Sequence, residues 1–213
     1  MTDSEPTASR LAIRVWDAPT RVFHWLNALC FLGAYLTAES ERWRLVHVTL
    51  GYTMGGLLLF RLVWGWVGTT YARFAQFVRG PRHMVRYAVS IVRGTPAHFL
   101  GHNPLGAAAI LVMLAVGGFL VFSGWASYND WGPNAISDWH ARAAQILLAA
   151  VALHIAGVLL ASWQHRENLI VAMVTGTKYA QGGTGIARGL RGIALVMVVL
   201  VMAFWAYQWW WAP

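Results

Sequence analysis

One stretch of the chain, residues 138–168, constrains the fold more than any other. It reads DWHARAAQILLAAVALHIAGVLLASWQHREN, and its apolar run can cross a bilayer, since a spanning helix needs about 20 residues. The run carries His140 near one end and His154 deep inside, 14 residues apart (154 − 140 = 14). At about 3.6 residues per turn, both imidazoles lie on one face, roughly 21 Å apart. The stretch therefore predicts a membrane helix that offers one imidazole near each membrane surface.

The composition of the whole chain favours a helical membrane protein. Of 213 residues, 58% are hydrophobic and 11% are charged, which suits lipid surroundings better than a soluble core. A lipid-exposed backbone must satisfy its own hydrogen bonds, so long apolar segments are expected to be helices. We therefore predict an all-α integral membrane bundle that forms one membrane domain, 1–213. Five apolar stretches can be drawn, at residues 22–38, 45–67, 104–126, 139–163 and 192–211.

Hydropathy divides this domain into three parts. Residues 1–14 form a polar tail. Its first ten residues, MTDSEPTASR, lack the basic-then-apolar layout of a cleaved signal, so we expect them to be disordered. Residues 15–178 hold the first four apolar stretches, and residues 186–213 hold the fifth as an extra transmembrane helix. The single cysteine, Cys30, excludes an intrachain disulfide and an iron–sulfur cluster bound by this chain's cysteines alone.

Positive charge is concentrated on one side of the predicted bundle. The net charge is +8, but its distribution follows membrane sides, which argues against nucleic acid as a partner. The positive-inside rule predicts a multi-pass protein with a cytoplasmic N-terminus and an outer C-terminus. Of the 16 basic residues, 12 belong to the tail and the even-numbered connections: Arg10, Arg14, Arg21, Arg73, Arg79, Arg82, Arg86, Arg93, Arg166, Lys178, Arg188 and Arg191.

Two further histidines lie at the ends of predicted helices. His24 falls in the first turns of the first stretch, where a histidine beside Trp25 is also typical of a membrane interface. His47 begins the second stretch at the opposite surface, and Gly51 follows one turn later on the same face. A missing side chain at Gly51 would let a flat macrocycle approach the helix, although close helix packing explains this glycine equally well.

Helix direction sorts these four histidines by depth. His24 begins an outward helix and His154 lies late in an inward one, so both are near the cytoplasmic side. His47 and His140 each begin an inward helix, so both are near the outer side. One pair per leaflet favours two bis-histidine haems b, since iron accepts neutral imidazole as an axial ligand. For any single histidine, a hydrogen bond between helices is the alternative, and zinc is disfavoured because neither pair has a third ligand at its depth.

Polar residues near the cytoplasmic pair are candidates for further cofactor contacts. Arg61 lies 14 residues after His47 (61 − 47 = 14) and shares its face at the cytoplasmic level. It either extends to the interface or contacts a haem propionate. In GHNPLGA, Asn103 is a natural N-cap before Pro104, and with His102 it is also placed to meet a quinone head group.

The connections are expected to lie at the periphery. The segment from Pro81, PRHMVRYAVSIVR, has apolar residues on one helical face and arginines opposite. It predicts an amphipathic helix that lies on the anionic inner leaflet or packs against the bundle. The glycine-rich segment from Gly176 matches no phosphate-binding pattern and is expected to be flexible. Three histidines are expected at the surface: His83, His98 and His165.

These residues resemble the bacterial cytochrome b561 and nickel–iron hydrogenase b-type cytochrome family. The resemblance covers roughly residues 15–178 and is carried by RVFHWLN, the stretch from His47 through Arg61, GHNPLGA, and the two histidines followed by HREN. It implies a four-helix di-haem core in the bacterial inner (cytoplasmic) membrane, with the fifth helix outside that core. It also implies two haems b, paired His24 with His154 and His47 with His140, that carry electrons between quinone or quinol and an outer redox partner.

Three functions follow from these expectations. The leading one is an electron-transfer subunit of a respiratory chain, with quinone oxidoreductase activity as a further property of the complex. Its periplasmic partner would be a c-type cytochrome or a hydrogenase-like subunit, docked over Asp130 and Asp138. The second is a self-contained enzyme that oxidises superoxide and reduces quinone. The third is a non-redox membrane anchor for another protein.

Overall fold

The computed structural model describes residues 11–180 and 182–211. Long helices run side by side along most of this length, which confirms the predicted membrane bundle. In chain order the elements are β1 (Leu11–Arg14), α1 (Ala18–Thr37), a 3₁₀ turn (Glu41–Trp43), α2 (Arg44–Val67), α3 (Phe74–Phe77), α4 (Pro81–Val92), α5 (Pro104–Tyr128), α6 (Ile136–His165), α7 (Leu169–Thr175), β2 (Thr177–Ala180) and α8 (Arg191–Trp211).

The predicted helix start is confirmed at α5, and α1 begins in the same way. The Asp17 carboxylate accepts a hydrogen bond from the backbone N–H of Thr20 at 2.7 Å, and a proline follows in the first turn. Asn103 accepts from the N–H of Gly106 at 2.7 Å. Each side chain satisfies a backbone donor that the first helical turn would leave without a partner.

Four helical segments are long and apolar enough to cross a membrane: Glu41–Val67, Pro104–Tyr128, Ile136–His165 and Arg191–Trp211. The sequence predicted five, and α1 does not meet the same hydropathy requirement. The physical reason lies in its first half, where Arg21, His24 and Asn27 occupy successive turns and lower the mean hydropathy. The helix still has 20 residues, about 30 Å of rise, and packs along α2.

The helices meet around one apolar core. α1 packs on α2, α2 on α5, and α5 on α6, while α8 lies outside against α1 and α2. The core is formed by Cys30 and Phe31 of α1, Met54 of α2, Leu120 of α5 and two residues of α6. In the part of the chain that the structure describes, the close helical neighbours of α6 are α5 and α7. Side chains therefore bridge α6 to α1 and α2.

A small cap that the sequence did not predict closes the end of the bundle that the positive-inside rule predicts to be cytoplasmic, called the inner end below. The opposite end is called the outer end. β1 pairs antiparallel with β2, with Leu11 opposite Ala180 and Arg14 opposite Thr177. Ile13, Val15 and Trp16 are buried there as a second apolar cluster. The sequence assigned residues 11–14 to the polar tail and indicated no strand there, because the partner strand lies far along the chain. Residues 1–10 lie outside the described residues.

The glycine-rich segment after α7 is also more structured than expected. Thr177–Ala180 is a strand, and the N–H of Ile186 donates to the carbonyl of Arg14 at 2.9 Å. Gly176 takes a φ of +87°, and its carbonyl accepts from the N–H groups of Val15 and Trp16. The prediction of flexibility missed these contacts because they join segments about 160 residues apart in sequence.

The predicted amphipathic helix is confirmed as α4. Tyr87 is buried, and α4 packs against α5. Arg82, Arg86 and Arg93 are exposed, as the pattern predicted. Exposed Val85 and Val92 leave a second apolar strip on the outer side of this helix.

Candidate functional site

The structure brings His47 and His140 together at the outer end of the bundle. Their ring centroids are 6.1 Å apart and the rings are inclined by 80°. The Nδ1 atom of His47 lies 2.8 Å from the carbonyl oxygen of Ala34, and that of His140 lies 3.0 Å from the carbonyl of Leu120. Carbonyl oxygens only accept, so each Nδ1 donates and each Nε2 keeps a free lone pair. This is the tautomer and orientation that a metal-bound histidine requires.

The ring of His140 lies in a space made by α5. A Cβ atom added to Gly124 would lie 2.7 Å from Cε1 of His140, so this position must lack a side chain. The hydroxyl of Ser123 lies 3.4 Å from Nδ1 of the same ring. Sequence reasoning assigned α5 to packing alone and missed this role. The only available signal was the pair of small residues in FSGWAS.

His24 and His154 come together at the inner end of the bundle and form the inner pair. Their ring centroids are 6.4 Å apart and the rings are inclined by 57°. The Nδ1 atom of His24 is buried and makes no hydrogen bond within the described residues. The same holds for Oδ1 of Asn27, one turn later on α1. This pair therefore has its rings in place but lacks the backbone carbonyls that fix the outer pair.

The separation of both pairs fits two imidazoles on opposite sides of one metal ion. A histidine nitrogen binds a first-row metal ion at about 2 Å, which puts the two ligating nitrogens about 4 Å apart. Ring centroids lie further back, so a separation near 6 Å is expected, and 6.1 and 6.4 Å are observed. Direct hydrogen bonding between the rings would bring the nitrogens to about 3 Å.

Gly51 provides the space beside the outer pair that a flat group would need. It lies one turn after His47 and is partly buried, yet a Cβ added there would meet no atom within 4 Å. Close packing of another helix, the alternative explanation for this glycine, would place atoms within that distance. A Cβ added to Gly33 of α1, by contrast, would lie 2.7 Å from Cδ1 of Leu50, so Gly33 is a packing glycine.

Arg61 is buried on α2 at the inner end of the bundle and does not extend to the interface. It is 3% exposed, and its guanidinium lies 4.8 Å from the ring centre of Phe74. Its Nη1 atom has no hydrogen-bond partner among the described residues. A buried guanidinium donor without an acceptor is costly, and a carboxylate such as a propionate would satisfy it.

His102 and Asn103 reach the same end of the bundle in different environments. Asn103 uses its side-chain oxygen to cap α5. The ring of His102 lies between Trp16 and Phe77, with centroids 4.6 and 4.7 Å away. Its burial, together with the positive charge of Arg61, lowers the pKa of His102 to about 3. His102 is therefore neutral at physiological pH.

Of the remaining histidines, His83 and His98 are exposed as predicted, and His98 and His165 also join a polar cluster that was not predicted. His83 is exposed on α4, as predicted. His98 is exposed in part, but its Nε2 lies 3.2 Å from Oε2 of Glu167, and its ring contacts that of His165 at 5.2 Å. The same carboxylate oxygen lies 3.2 Å from Nζ of buried Lys178. Sequence reasoning missed this cluster because its members are up to 80 residues apart (178 − 98 = 80).

The outer surface between α5 and α6 carries the two predicted acidic residues. Asp130 and Asp138 are both exposed, and Asp138 lies in the first turn of α6. Beside them, Phe122, Trp125 and Trp131 form an exposed aromatic cluster. This surface is open to a partner.

Comparisons with known proteins identify the family of this chain. The sequence model of a family described as prokaryotic cytochrome b561 matches residues 15–176. A probable Ni/Fe-hydrogenase B-type cytochrome subunit of Rhizobium leguminosarum bv. viciae is 24% identical over 82% of this chain and 92% of its own length. The protein of that name from Azotobacter vinelandii is 27% identical over 81% and 90%, and the Ni/Fe-hydrogenase 1 subunit of Escherichia coli (strain K12) is 28% identical over 57% and 63%. No solved structure matches the chain significantly.

Proposed function

Because the chain belongs to the prokaryotic cytochrome b561 family and is thus a membrane b-type cytochrome of electron transfer, we propose that it passes electrons between the quinone pool and a periplasmic redox partner. It does so with two haems b, one at each histidine pair. The observation that carries the proposal is the pairing of four histidines at two depths, with ring centroids 6.1 and 6.4 Å apart.

The side chains around each pair support this assignment. His47 and His140 would hold the outer haem, and their Nδ1–H groups are already donated to backbone carbonyls. His24 and His154 would hold the inner haem, and Arg61 offers a buried positive charge beside it for a propionate. The apolar core between the pairs excludes water.

A bis-histidine haem supplies a one-electron carrier whose iron stays closed to further ligands. Two such carriers at opposite ends of one helix bundle would give electrons a path across the membrane. The protein's own part is to hold four imidazoles as neutral ligands and to keep the path dry.

Quinone exchange is proposed at the cytoplasmic end, near His24 and His154. This end brings buried polar groups to membrane depth, namely Arg61, His102 and Asn103, whereas the outer end presents mainly tryptophans and a few acids. A quinone site needs apolar walls and polar groups at the head. Quinone exchange near the inner pair would leave the outer pair free to exchange electrons with the redox partner.

The partner is proposed to be a periplasmic c-type cytochrome or hydrogenase-like subunit. The similar proteins are named as subunits of Ni/Fe-hydrogenases, and Asp130 and Asp138 give the outer surface an exposed acidic character. A basic patch on the partner would complement these carboxylates and speed docking at low salt.

The proposed location is the bacterial inner membrane, with the N-terminus in the cytoplasm and five spans. The concentration of basic residues on one side supports this orientation. Reporter fusions at Pro213 test it: alkaline phosphatase is expected to be active there. An active cytoplasmic reporter at the same residue would place the C-terminus inside and remove one span.

The central test is a reduced-minus-oxidised spectrum of the purified chain with quantification of haem. We expect two haems b per chain, both reducible by a quinol analogue, and electron delivery to a periplasmic partner only when that partner is added. A haem-free protein would contradict the proposal and favour a membrane anchor. Turnover with superoxide and quinone without any partner would favour a self-contained enzyme.

A further inference from the structure

The helix α4 carries more apolar surface than its contact with the bundle covers. Tyr87 is buried and Ile91 is half-buried, and α4 packs against the spanning helix α5. Three valines elsewhere on α4 are exposed, by 63% at Val85, 41% at Val89 and 88% at Val92. Their i, i+4, i+7 spacing places them on one face. This valine strip is left uncovered by the part of the chain that the structure describes.

Arginines border the valine strip along one side. At about 100° of rotation per residue, Arg82, Arg86 and Arg93 lie roughly 60–100° around the helix from Val85, and all three are exposed. Tyr87 lies about 160° from Val85 in the opposite direction. The helix therefore has a face on the bundle, an apolar face and a cationic face. This is the layout of a helix that lies at a membrane surface beside a bundle, with its apolar face among the acyl chains.

The positive charge of α4 is not neutralised within the described residues. None of its arginines lies within ion-pair distance of a carboxylate there. Of the acidic residues in that part of the chain, Asp17 is buried and accepts from Trp64, and Glu167 is paired with Lys178. The other four lie at the outer end: Glu39, Glu41, Asp130 and Asp138. The arginines of α4 are therefore available to an anion outside the described chain.

A shallow depression brings the cationic and apolar faces together. It is lined by Pro81, Arg82, Val85 and Arg86 and has a volume of about 480 Å³. Its two guanidinium groups belong to residues one helical turn apart, with an apolar side chain between them in sequence. A guanidinium binds phosphate oxygens through paired hydrogen bonds. A phospholipid presents the matching combination, a phosphate group joined to acyl chains.

We propose that α4 binds anionic phospholipid in the leaflet at the inner end of the bundle. The valine strip contacts the acyl chains, Arg82 and Arg86 bind phosphate groups, and Arg93 adds positive charge. One basic residue near an anionic membrane surface strengthens attraction about five-fold, whereas a zwitterionic headgroup carries its own ammonium beside the phosphate. The surface therefore selects anionic lipid. This interaction depends neither on the haems nor on the redox partner.

Spin labelling tests the direction of the valine strip in the full chain. Cys30 is 1% exposed, so a thiol-directed nitroxide reaches an introduced cysteine, and the unsubstituted chain gives the labelling background. Val85→Cys, Val92→Cys and His83→Cys are labelled separately in vesicles of phosphatidylcholine and phosphatidylglycerol. Oxygen concentrates in lipid and a nickel complex stays in water. We expect oxygen to dominate the relaxation of the labels at positions 85 and 92, and nickel to dominate at position 83, on the cationic side.

Two results of this measurement would overturn the proposal. Relaxation at position 85 by nickel as strong as at position 83 would show that the valine strip faces water. Protection of position 85 from both relaxing agents would show that protein covers the strip, either a second copy of the chain or another subunit. Either result leaves the proposed electron-transfer function standing.

Lipid selectivity tests the arginines. Spin-labelled phosphatidylglycerol and phosphatidylcholine are compared for association with the protein in phosphatidylcholine vesicles. We expect an anionic preference of about two-fold or more, reduced to near equality in the double variant Arg82→Gln, Arg86→Gln. The matched control is Arg42→Gln, Arg142→Gln, which removes the same charge from exposed positions at the outer end and should keep most of the preference. All four side chains are exposed, so the thermal midpoints in detergent should match that of the unsubstituted chain.

The same comparison can refute the assignment to α4. An equal loss of preference in both double variants would show that net charge alone attracts the lipid. An absence of anionic preference in the unsubstituted chain, or its full retention in the α4 variant, would remove Arg82 and Arg86 from lipid binding.

Discussion

The two histidine pairs have similar ring separations but are held in different ways. At the outer pair, both Nδ1 atoms donate to backbone carbonyls. The missing side chain at Gly124 leaves the room that the ring of His140 occupies. At the inner pair, His24 lacks such a partner within the described residues. A ring fixed by backbone on two helices has one available orientation, so the outer pair is built as a rigid site.

The surroundings of the two histidine pairs also differ. The outer pair is bordered by exposed tryptophans and short connections, whereas the inner pair lies under the cap formed by β1, β2 and α7. Among the residues that the structure describes, buried polar atoms without hydrogen-bond partners collect at the inner end, on Thr20, Asn27, Arg61 and His102. Such groups are costly unless a ligand completes them. The comparison indicates that the outer site is held rigidly by the protein itself, whereas the inner site needs bound groups to satisfy its buried polar atoms.

Removing one histidine from each pair is the strongest way to break the comparison. His140→Ala is expected to lose the outer haem and His154→Ala the inner one, because a single remaining imidazole cannot complete a bis-histidine site. Haem per chain, measured from the reduced pyridine complex, should fall from two to one in each variant. His83→Ala, exposed on α4, should keep both haems. Retention of both in either core variant would refute the ligand assignment.

Overpacking at Gly124 should affect the outer pair alone. In Gly124→Ala the new Cβ would lie 2.7 Å from Cε1 of His140, and a backbone-held ring can move little. A forced shift of this kind costs about 1–3 kcal/mol, so outer-haem occupancy should fall while the inner spectrum is unchanged. The control is Gly118→Ala on the same helix, where a Cβ meets no atom within 4 Å. Equal loss in both variants would mean a general effect on α5.

The sequence predicted what is local or periodic and missed what joins distant segments. Helix positions, the cap at Asn103 and the apolar face of α4 follow from neighbouring residues, so they could be predicted. The strand pairing of residues 11–14 and the Glu167 cluster depend on contacts between distant segments, which no local pattern specifies. Membrane depth is the one kind of contact between distant segments that the sequence did predict. Helix direction alone places His24 beside His154, which is how the pairs could be anticipated.

Acidification should weaken the inner end more than the outer end. The pKa of His102 is about 3 in the folded chain, against an ordinary value of 6.5. Between these values the unfolded chain binds a proton that the folded chain does not, so stability falls as pH drops below 6.5. At pH 5 the penalty is about 2 kcal/mol. The difference in thermal midpoint between pH 7 and pH 5 should shrink in His102→Phe, which keeps an aromatic ring between Trp16 and Phe77, and should persist in His83→Gln.

Replacing Arg61 should produce the smallest effect and distinguish the pairs by their reduction potentials. A buried positive charge near the inner haem favours its reduced form, so Arg61→Gln should lower that potential. A change of about 1 kcal/mol is expected for a charge at this range, roughly 40 mV for one electron. The reduction potential of the outer haem should move much less, since Arg61 lies 14 residues after His47 on α2, about 21 Å along the helix. Redox titration of both haems, with Arg142→Gln as the outer control, gives the comparison. An equal shift of both haems in Arg61→Gln would show that the arginine acts through the whole bundle, and an unchanged inner potential would remove it from the inner site.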